Sequence, residues 1–377
     1  MPKEQKTNTM KTLLFYISNI SKGGAQRVIT TLSNHFSEQY QVILLTTTVG
    51  EGTYPLSPNI TLLSLDLAAE DIQANKLTKN LKRNIRLKQI IQTYQPSAII
   101  TFLEREILRV LYLKPQLSVP VIISFRNDPN VDYSSWLQRF AIMRLIKRAD
   151  GIVFQTPDAK QFFTGHYASK DIIIPNPIHP TFLKERAIGS RDARIVTVGK
   201  LFPQKNHALL IRSFAQIASE FPEHTLEIYG EGELRNSLQQ LIDSLGLQTR
   251  IYLKGVRNDI EKVLEQAALF VLSSDYEGVS NALMEAMALG LPVISTDCPC
   301  GGSAMLIRHG VNGLLVPVGD EGALVGSMRS MVKDPLYAEA LGTEARKIRH
   351  EVDPQVVFAS WEAFIHDVVS MGKEIDE

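Results

Sequence analysis

At 377 residues the chain exceeds one ordinary domain and suits two, and 44% hydrophobic with 21% charged residues is a composition that buries cores and excludes wholesale disorder. No run of about 18 uninterrupted apolar residues occurs, so no bilayer-spanning segment is expected. The polar start MPKEQKTNTMK lacks the apolar core and cleavage site of a secretory leader, so a cytoplasmic location is expected. The formal charge of zero hides a split: residues 1–180 hold 21 Lys and Arg against 13 Asp and Glu, leaving 19 against 27 in the remainder. Such a basic half could meet nucleic acid, anionic lipid or a phosphorylated acceptor, or simply carry scattered solvated charge. Cys298 and Cys300, one residue apart, are too close for an ordinary structural disulfide and have no His or Cys neighbours for a zinc site, which fits a reducing compartment.

Taken in chain order, short apolar runs alternate with helix-period segments. LLFYISNI leads through Gly23 and Gly24 into an amphipathic stretch, Gln26–Phe36, and is followed by VILLTTTV and ITLLSL. Next comes Asn75–Gln95, where Lys76, Lys79, Lys82, Arg83 and Arg86 recur at three-to-four spacing with Leu77, Leu81, Ile85 and Ile90 toward another face. No acid lies between Asp71 and Glu104. A basic amphipathic helix reads as a surface for anionic membrane or polyphosphate; the alternative is a core-packed helix with a solvated basic face. Nucleic acid is not expected, because no recognition motif or interleaved aromatics accompany the charge.

AIITFL, VPVIISF and GIVFQT complete the first set of strand candidates. The three prolines of IIIPNPIHP (Ile172–Pro180) stop regular structure and read as a hinge. The alternation restarts with RIVTVG and continues through Lys205–Phe221, TLEIYG, Glu233–Leu245, IYLKG, LFVLSS, Ala282–Ala288, LPVIST and GLLVPV. From about Pro354 one amphipathic helix carries Val357, Phe358, Trp361, Phe364, Ile365 and Val368. This is the pattern of βαβ units and parallel sheets. The expected plan is α/β, with Rossmann-like, doubly wound domains over 1–180 and 181–355 facing across a cleft. A helix over 356–377 is expected to pack back on the first. Ligands then belong at the carboxyl ends of the sheets.

The densest motif is SSDYEGVSNALMEAMALGLPVIST, Ser273 to Thr296: a strand, a loop holding Glu277, a helix opening near Ser280 that carries Glu285, then Gly290 as a left-handed stop. The amides of Val279, Ser280, Asn281 and Ala282 open that helix at its positive end, which suits a nucleotide diphosphate. Glu285 could accept from a ribose hydroxyl and Glu277 from sugar hydroxyls. Two solvated glutamates on a helix would be the plainer meaning of the acids alone; the strand–loop–helix setting favours a site.

EGVSNALME followed by AMALGLPVIST resembles the two-glutamate signature of glycosyltransferase family 4, retaining enzymes of GT-B fold. The resemblance extends over VGKLFPQKNHALLIRSF, IYGEGELRNSLQ, LKGVRNDI and NGLLVPVGD. It implies that Glu277 binds the donor sugar at the reacting anomeric centre and that Glu285 holds the ribose. It implies that Lys200 and Lys205 neutralise the diphosphate as charge develops on the leaving group. Gly230 and Gly232 would let the backbone pass close to the nucleotide, with Gly278 in the donor loop and Lys254, Gly255 and Val256 along the base edge. Gly23 and Gly24 would face the cleft near the donor phosphates and the acceptor.

There are departures. Lys200 stands where the family usually has Arg, giving up bidentate geometry. Gln26 replaces an acid, and Gly302, Ser303 and Ala304 replace a charged Gly-Pro-Arg-Glu segment. Arg126 stands where many relatives have His, so any catalytic part it plays is electrostatic and not that of a base. Asp275–Tyr276–Glu277 is superficially similar to a metal-binding Asp-x-Asp, but the resemblance implies a metal-free site with a nucleotide-sugar as co-substrate and no cofactor. The resemblance also implies a UDP-sugar as donor and a lipid-linked or growing surface glycan as acceptor, with the protein peripheral on the inner face of the plasma membrane. The rivals are a GT-B transferase with a small soluble acceptor and a catalytically silent GT-B scaffold that binds glycan. A nicotinamide-dependent dehydrogenase is weaker, since no strand-linked G-x-G-x-x-G with a downstream acid occurs.

Overall fold

The computed structural model describes residues 11–21, 23–48, 50, 54–184 and 191–374; the polar start to Met10 and the last three residues of the expected C-terminal segment lie outside them. Seven parallel strands form the first sheet: β1 (Thr12–Ile17), β2 (Gln41–Thr46), β3 (Ile60–Ser64), β4 (Ala98–Phe102), β5 (Val121–Ser124), β6 (Gly151–Phe154) and β7 (Lys170–Ile173), in the order β3-β2-β1-β4-β5-β6-β7. Six more form the second: β8 (Arg194–Val198), β9 (Thr225–Tyr229), β10 (Ile251–Gly255), β11 (Leu269–Leu272), β12 (Val293–Thr296) and β13 (Leu314–Val316), ordered β10-β9-β8-β11-β12-β13. The inner strands are mostly apolar because helices cover both faces of a parallel sheet; β1 and β4, for example, are buried throughout, while β9 carries the buried Glu227.

The sequence missed β7. Its four residues KDII start with two charges and run into the proline segment, and as an edge strand it needs only β6 as a partner and a half-buried face. The expected boundary at 180 also moves. Packing divides the chain into one unit holding the described residues up to Gln155, Ala159–Ile174 and those from Phe358 on, and another holding Thr156–Asp158 and Pro175–Val357. The shift to Pro175 has a cause: Ile178 is buried in the second core and donates to Val352 O at 3.0 Å, while Asn176 donates to Asn281 Oδ1 at 2.8 Å.

From Phe358 on, the helix Pro354–Glu374 supplies core to the first unit. Phe358 stacks on His35 at 4.0 Å, and Trp361, fully buried, lies 6.0 Å from Phe102. β6 admits it closely: a Cβ on Gly151 would stand 2.8 Å from Val368.

The order of each sheet fixes where its helices lie. The chain steps from β1 to β2 and β3, then back to β4, β5 and β6. Right-handed crossovers therefore put Gly24–Phe36 on one face and Lys76–Tyr94, Glu104–Leu113 and Trp136–Leu145 on the other. The direction reverses between β1 and β4 in the first sheet and between β8 and β11 in the second. Crevices at the carboxyl ends of such strand pairs are where doubly wound sheets bind ligands.

Candidate active site

At the reversal point of the second sheet two loops dock on each other. The loop after β8 runs through Lys200 into a short turn, Pro203–Lys205, and then the helix His207–Ile217; the loop after β11 carries Ser273 to Ser280. Asn206, at a left-handed φ of 43°, caps that helix through Leu209 N and donates to Asp275 Oδ1 at 2.7 Å. Ser273 Oγ donates to Lys205 O at 2.9 Å, and Gln204 Nε2 to Tyr276 O at 2.9 Å. Between the loops, Lys205 forms an ion pair with Glu277, which is 8% exposed and also accepts from Ser274 Oγ at 2.8 Å. A carboxylate removed from water to this degree is costly unless it is paired and hydrogen-bonded, and here it is both.

A second set of contacts, invisible in the motifs, holds Ser274. Its carbonyl accepts from Thr296 Oγ1 at 2.6 Å and Cys298 Sγ at 3.2 Å. Burial pushes the Cys298 thiol up to about 11, so at neutral pH it keeps the proton it donates. Both cysteines are buried thiols. Ser303 Oγ lies 2.8 Å from Ser295 Oγ, and Gly302 sits so close that a Cβ there would be 1.7 Å from Gly278 O. The uncharged Gly302–Ser303 segment is therefore a packing surface for the loop after β11. His207 does similar work on the other side: burial lowers its pKa to about 4, and the neutral ring donates Nε2–H to Lys200 O at 3.2 Å.

The helix Asn281–Ala288 opens as its sequence indicates, but Ser280 caps it by accepting from Leu283 N, so that amide is spent internally. Val279 and Ser280 are buried, and Asn281 and Ala282, at the first turn, are half-buried. Glu285 is 4% exposed on the inner side of this helix. Gly290 has φ 69° at the stop.

Other expected site residues are placed differently. Gly230 (φ 150°) and Gly232 make close approaches to the chain itself: a Cβ would lie 1.9 Å from Gly199 O or 2.5 Å from Leu201 O. Leu201 N donates to Glu231 O at 3.0 Å, so the β9 loop underpins the lysine loop. Lys200 is exposed, its ammonium 5.7 Å from the Phe202 ring centroid. Lys254 pairs with Glu227 at 3.2 Å; Gly255 (φ 74°) and the exposed Val256 follow it. Burial would raise the Glu227 pKa, but hydrogen bonds from Tyr229 and Lys254 and the charges of Lys254 and Arg194 hold it below the usual range.

In the first unit, Gly23 precedes the helix that starts at Gly24, and the Gln26 side chain folds over it, 2.2 Å from where a Cβ would be. Arg126 follows β5 with its guanidinium 4.2 Å from the Phe102 centroid and 5.4 Å from that of Trp361. Burial lowers its pKa to about 9, which leaves a cation at neutral pH. Sequence reading passed over Asp132, a carboxyl pushed up to about 6 by burial, which accepts from Asn127 at 2.8 Å.

The family model for glycosyl transferases group 1 matches residues 180–348, and that for glycosyltransferase family 4 matches residues 22–182. An uncharacterised glycosyltransferase of Methanocaldococcus jannaschii is 34% identical over 59% of this chain, which spans 61% of that relative. A Campylobacter jejuni α-1,4-N-acetyl-D-galactosaminyltransferase, named for a diphospho-undecaprenol-linked GalNAc glycan, is 24% identical over 95% of this chain and 99% of its own. Among solved structures, sucrose-phosphate synthase of Thermosynechococcus elongatus aligns with TM-score 0.82 at 17% identity, covering 96% of this chain and 100% of that one. Anabaena HepE in complex with UDP aligns with TM-score 0.80 at 17% identity, covering 95% and 100%.

Proposed function

Because the chain belongs to the family 4 glycosyltransferases of GT-B fold, we propose that it moves a sugar from a UDP-sugar, with retention of configuration, to a hydroxyl of a lipid-linked or growing surface glycan. The observation that carries this reading is the braced Lys205–Glu277 pair at the reversal point of the second sheet. A nucleoside diphosphate entering there would meet Lys205 and the exposed Lys200 as its cations. The first-turn amides of Asn281 and Ala282 would meet its phosphates and Glu285 its ribose. Glu277 would face the anomeric carbon. The bond from that carbon to the β-phosphate oxygen breaks with its electron pair going to UDP. The acceptor oxygen bonds on the same face, and its proton passes to the departing phosphate.

Preorganised cations at the leaving group are the largest electrostatic demand of such a step. Asp275 and Glu277 already spend oxygens on Asn206, Lys205 and Ser274, so the neutralising charge is assigned to lysines and not to a metal held by those acids. Arg126 would contribute positive potential on the acceptor side, as a cation fixed against Phe102 and Trp361. The helix Lys76–Tyr94 supports a peripheral place on an anionic membrane, on the cytoplasmic face where nucleotide-sugars are found.

Labelled UDP- and GDP-sugars offered with a diphosphate-lipid-linked oligosaccharide test the reading. The α-linked donor should give an α-linked product by NMR, and Lys205→Ala should weaken UDP binding and turnover together. An inverted product, or UDP affinity unaltered in Lys205→Ala, would overturn it.

A further inference from the structure

Two helices of the first unit present apolar side chains to the outside. Lys76–Tyr94 buries only Leu87 and Ile91, whereas Leu77, Leu81 and Ile85 are 82%, 60% and 47% exposed. The helix packs on the core through Leu87 and Ile91, but not through the expected stripe: Leu77, Leu81 and Ile85 face outward among the lysines and Ile90 is half-buried. Trp136–Leu145, sequence WLQRFAIMRL, is apolar nearly all round yet buries only Ile142; Trp136, Leu137 and Phe140 are 75%, 60% and 62% exposed. A helix of that composition is ordinarily enclosed.

The two helices are joined through Glu104–Leu113, which lies between them on the same face of the sheet. Arg109 donates to Asn80 Oδ1 at 3.1 Å and also to Asn84 Oδ1, and Gln138 donates to Glu104 at 2.7 Å. Each helix follows a strand of one parallel sheet, so their first two turns, where Leu77, Leu81, Trp136, Leu137 and Phe140 fall, lie toward its carboxyl edge. A capping box of Ser135 and Gln138 fixes the start of the second helix and so the direction of Trp136.

We propose that Trp136, Leu137 and Phe140 form an interfacial anchor that inserts into an anionic bilayer beside the basic Lys76–Tyr94 helix, making a two-helix footprint at the acceptor end of the first sheet. The proposal rests on the membrane part of the function proposed above. Charge complementarity decides the occupant. Neither helix contains an acid, while Lys76, Lys79, Arg139 and Arg144 lie among the apolar residues. A second copy of this chain would oppose like charges across an isologous contact, whereas anionic headgroups complement them. Apolar insertion and basic attraction each bind weakly alone and anchor stably together. Tryptophan settles at the headgroup level, where its ring is half apolar and half wet.

The molecule contains its own probe, because of its two tryptophans Trp361 is fully buried and Trp136 is 75% exposed. With vesicles of phosphatidylcholine and phosphatidylglycerol at 3:1, emission should shift to the blue and lose quenching by iodide. Trp136→Ala should abolish that shift. The double variant Trp136→Ala, Phe140→Ala should lower partitioning about tenfold at unchanged UDP affinity. Co-sedimentation with Trp136 still open to iodide would overturn the anchor and leave the basic-helix reading standing. No co-sedimentation at low salt would overturn both. Iodide protection that grows with protein concentration in the absence of vesicles would assign the face to a protein partner and overturn the proposal.

Discussion

The loop around Glu277 and the face carrying Trp136 are opposites in construction. Around Glu277 nearly every polar atom is engaged: Lys205 and Ser274 hold the carboxylate, Thr296 and Cys298 hold Ser274, and Gly302 closes on Gly278. On the outward face, ten residues from Trp136 to Leu145 bury one side chain. A region that must hold charge in one geometry is cross-braced by its own chain. A region that completes its packing on something else is left without a cover. The first should respond to substitution through turnover, the second through partitioning.

The largest expected effect tests the braced side. Glu277→Gln should lower turnover by about 10² or more, roughly 3 kcal/mol, in a variant that stays folded. Near-normal turnover by a folded variant would show that the brace serves stability alone. Next comes pH. His207 has a folded pKa of about 4 against 6.5 in the unfolded chain, so folding favours its neutral form. The stability it confers is complete above about pH 6.5 and is lost as pH falls toward 4, by about 3 kcal/mol in all. Denaturant titrations from pH 7 to pH 4 should therefore show a steeper loss in the wild type than in His207→Gln. Equal slopes would mean that the imidazole titrates freely.

On the uncovered side, replacing Lys76, Lys79, Lys82 and Arg83 by Gln should reduce binding to anionic vesicles by ten- to hundredfold while leaving UDP affinity intact. At about 1 kcal/mol per surface-proximal charge four cations would give more, but Lys82 is already tied to Asp71. Binding that ignores salt would assign the attraction to the apolar residues. The smallest expected effect is none: turnover should survive excess EDTA. Activity abolished by chelator and restored by magnesium or manganese would return Asp275 to consideration as a ligand.

What the sequence made legible follows from the range of the interactions involved. Most strands showed because they are short, mainly apolar runs bounded by turn residues, and the Glu277 loop because strand, loop, helix and Gly290 lie within one short segment. β7 did not show, because two charges and a proline segment frame four residues that need a single neighbour. The brace was illegible for another reason. Ser274 to Thr296, and Lys205 to Glu277, join residues about 20 and 70 positions apart, and nothing local marks a buried serine or threonine as a support. The basic helix was legible as amphipathic but not as inside out. Periodicity gives the angle between its faces and says nothing about which one meets the core.

The loops around Lys205 and Glu277 rest on a floor that cannot be remodelled one side chain at a time. Where Gly230 presses on Gly199 O and Gly302 on Gly278 O, the layer beneath the loops is main chain against main chain, with no side chain between to exchange. A shim of fixed thickness cannot be trimmed. Altering which sugar the protein handles would therefore have to come from residues around the rim or from loops of different length. Attempts to widen the site from below, beginning with Gly302→Ala, should cost the fold before they alter the choice of donor.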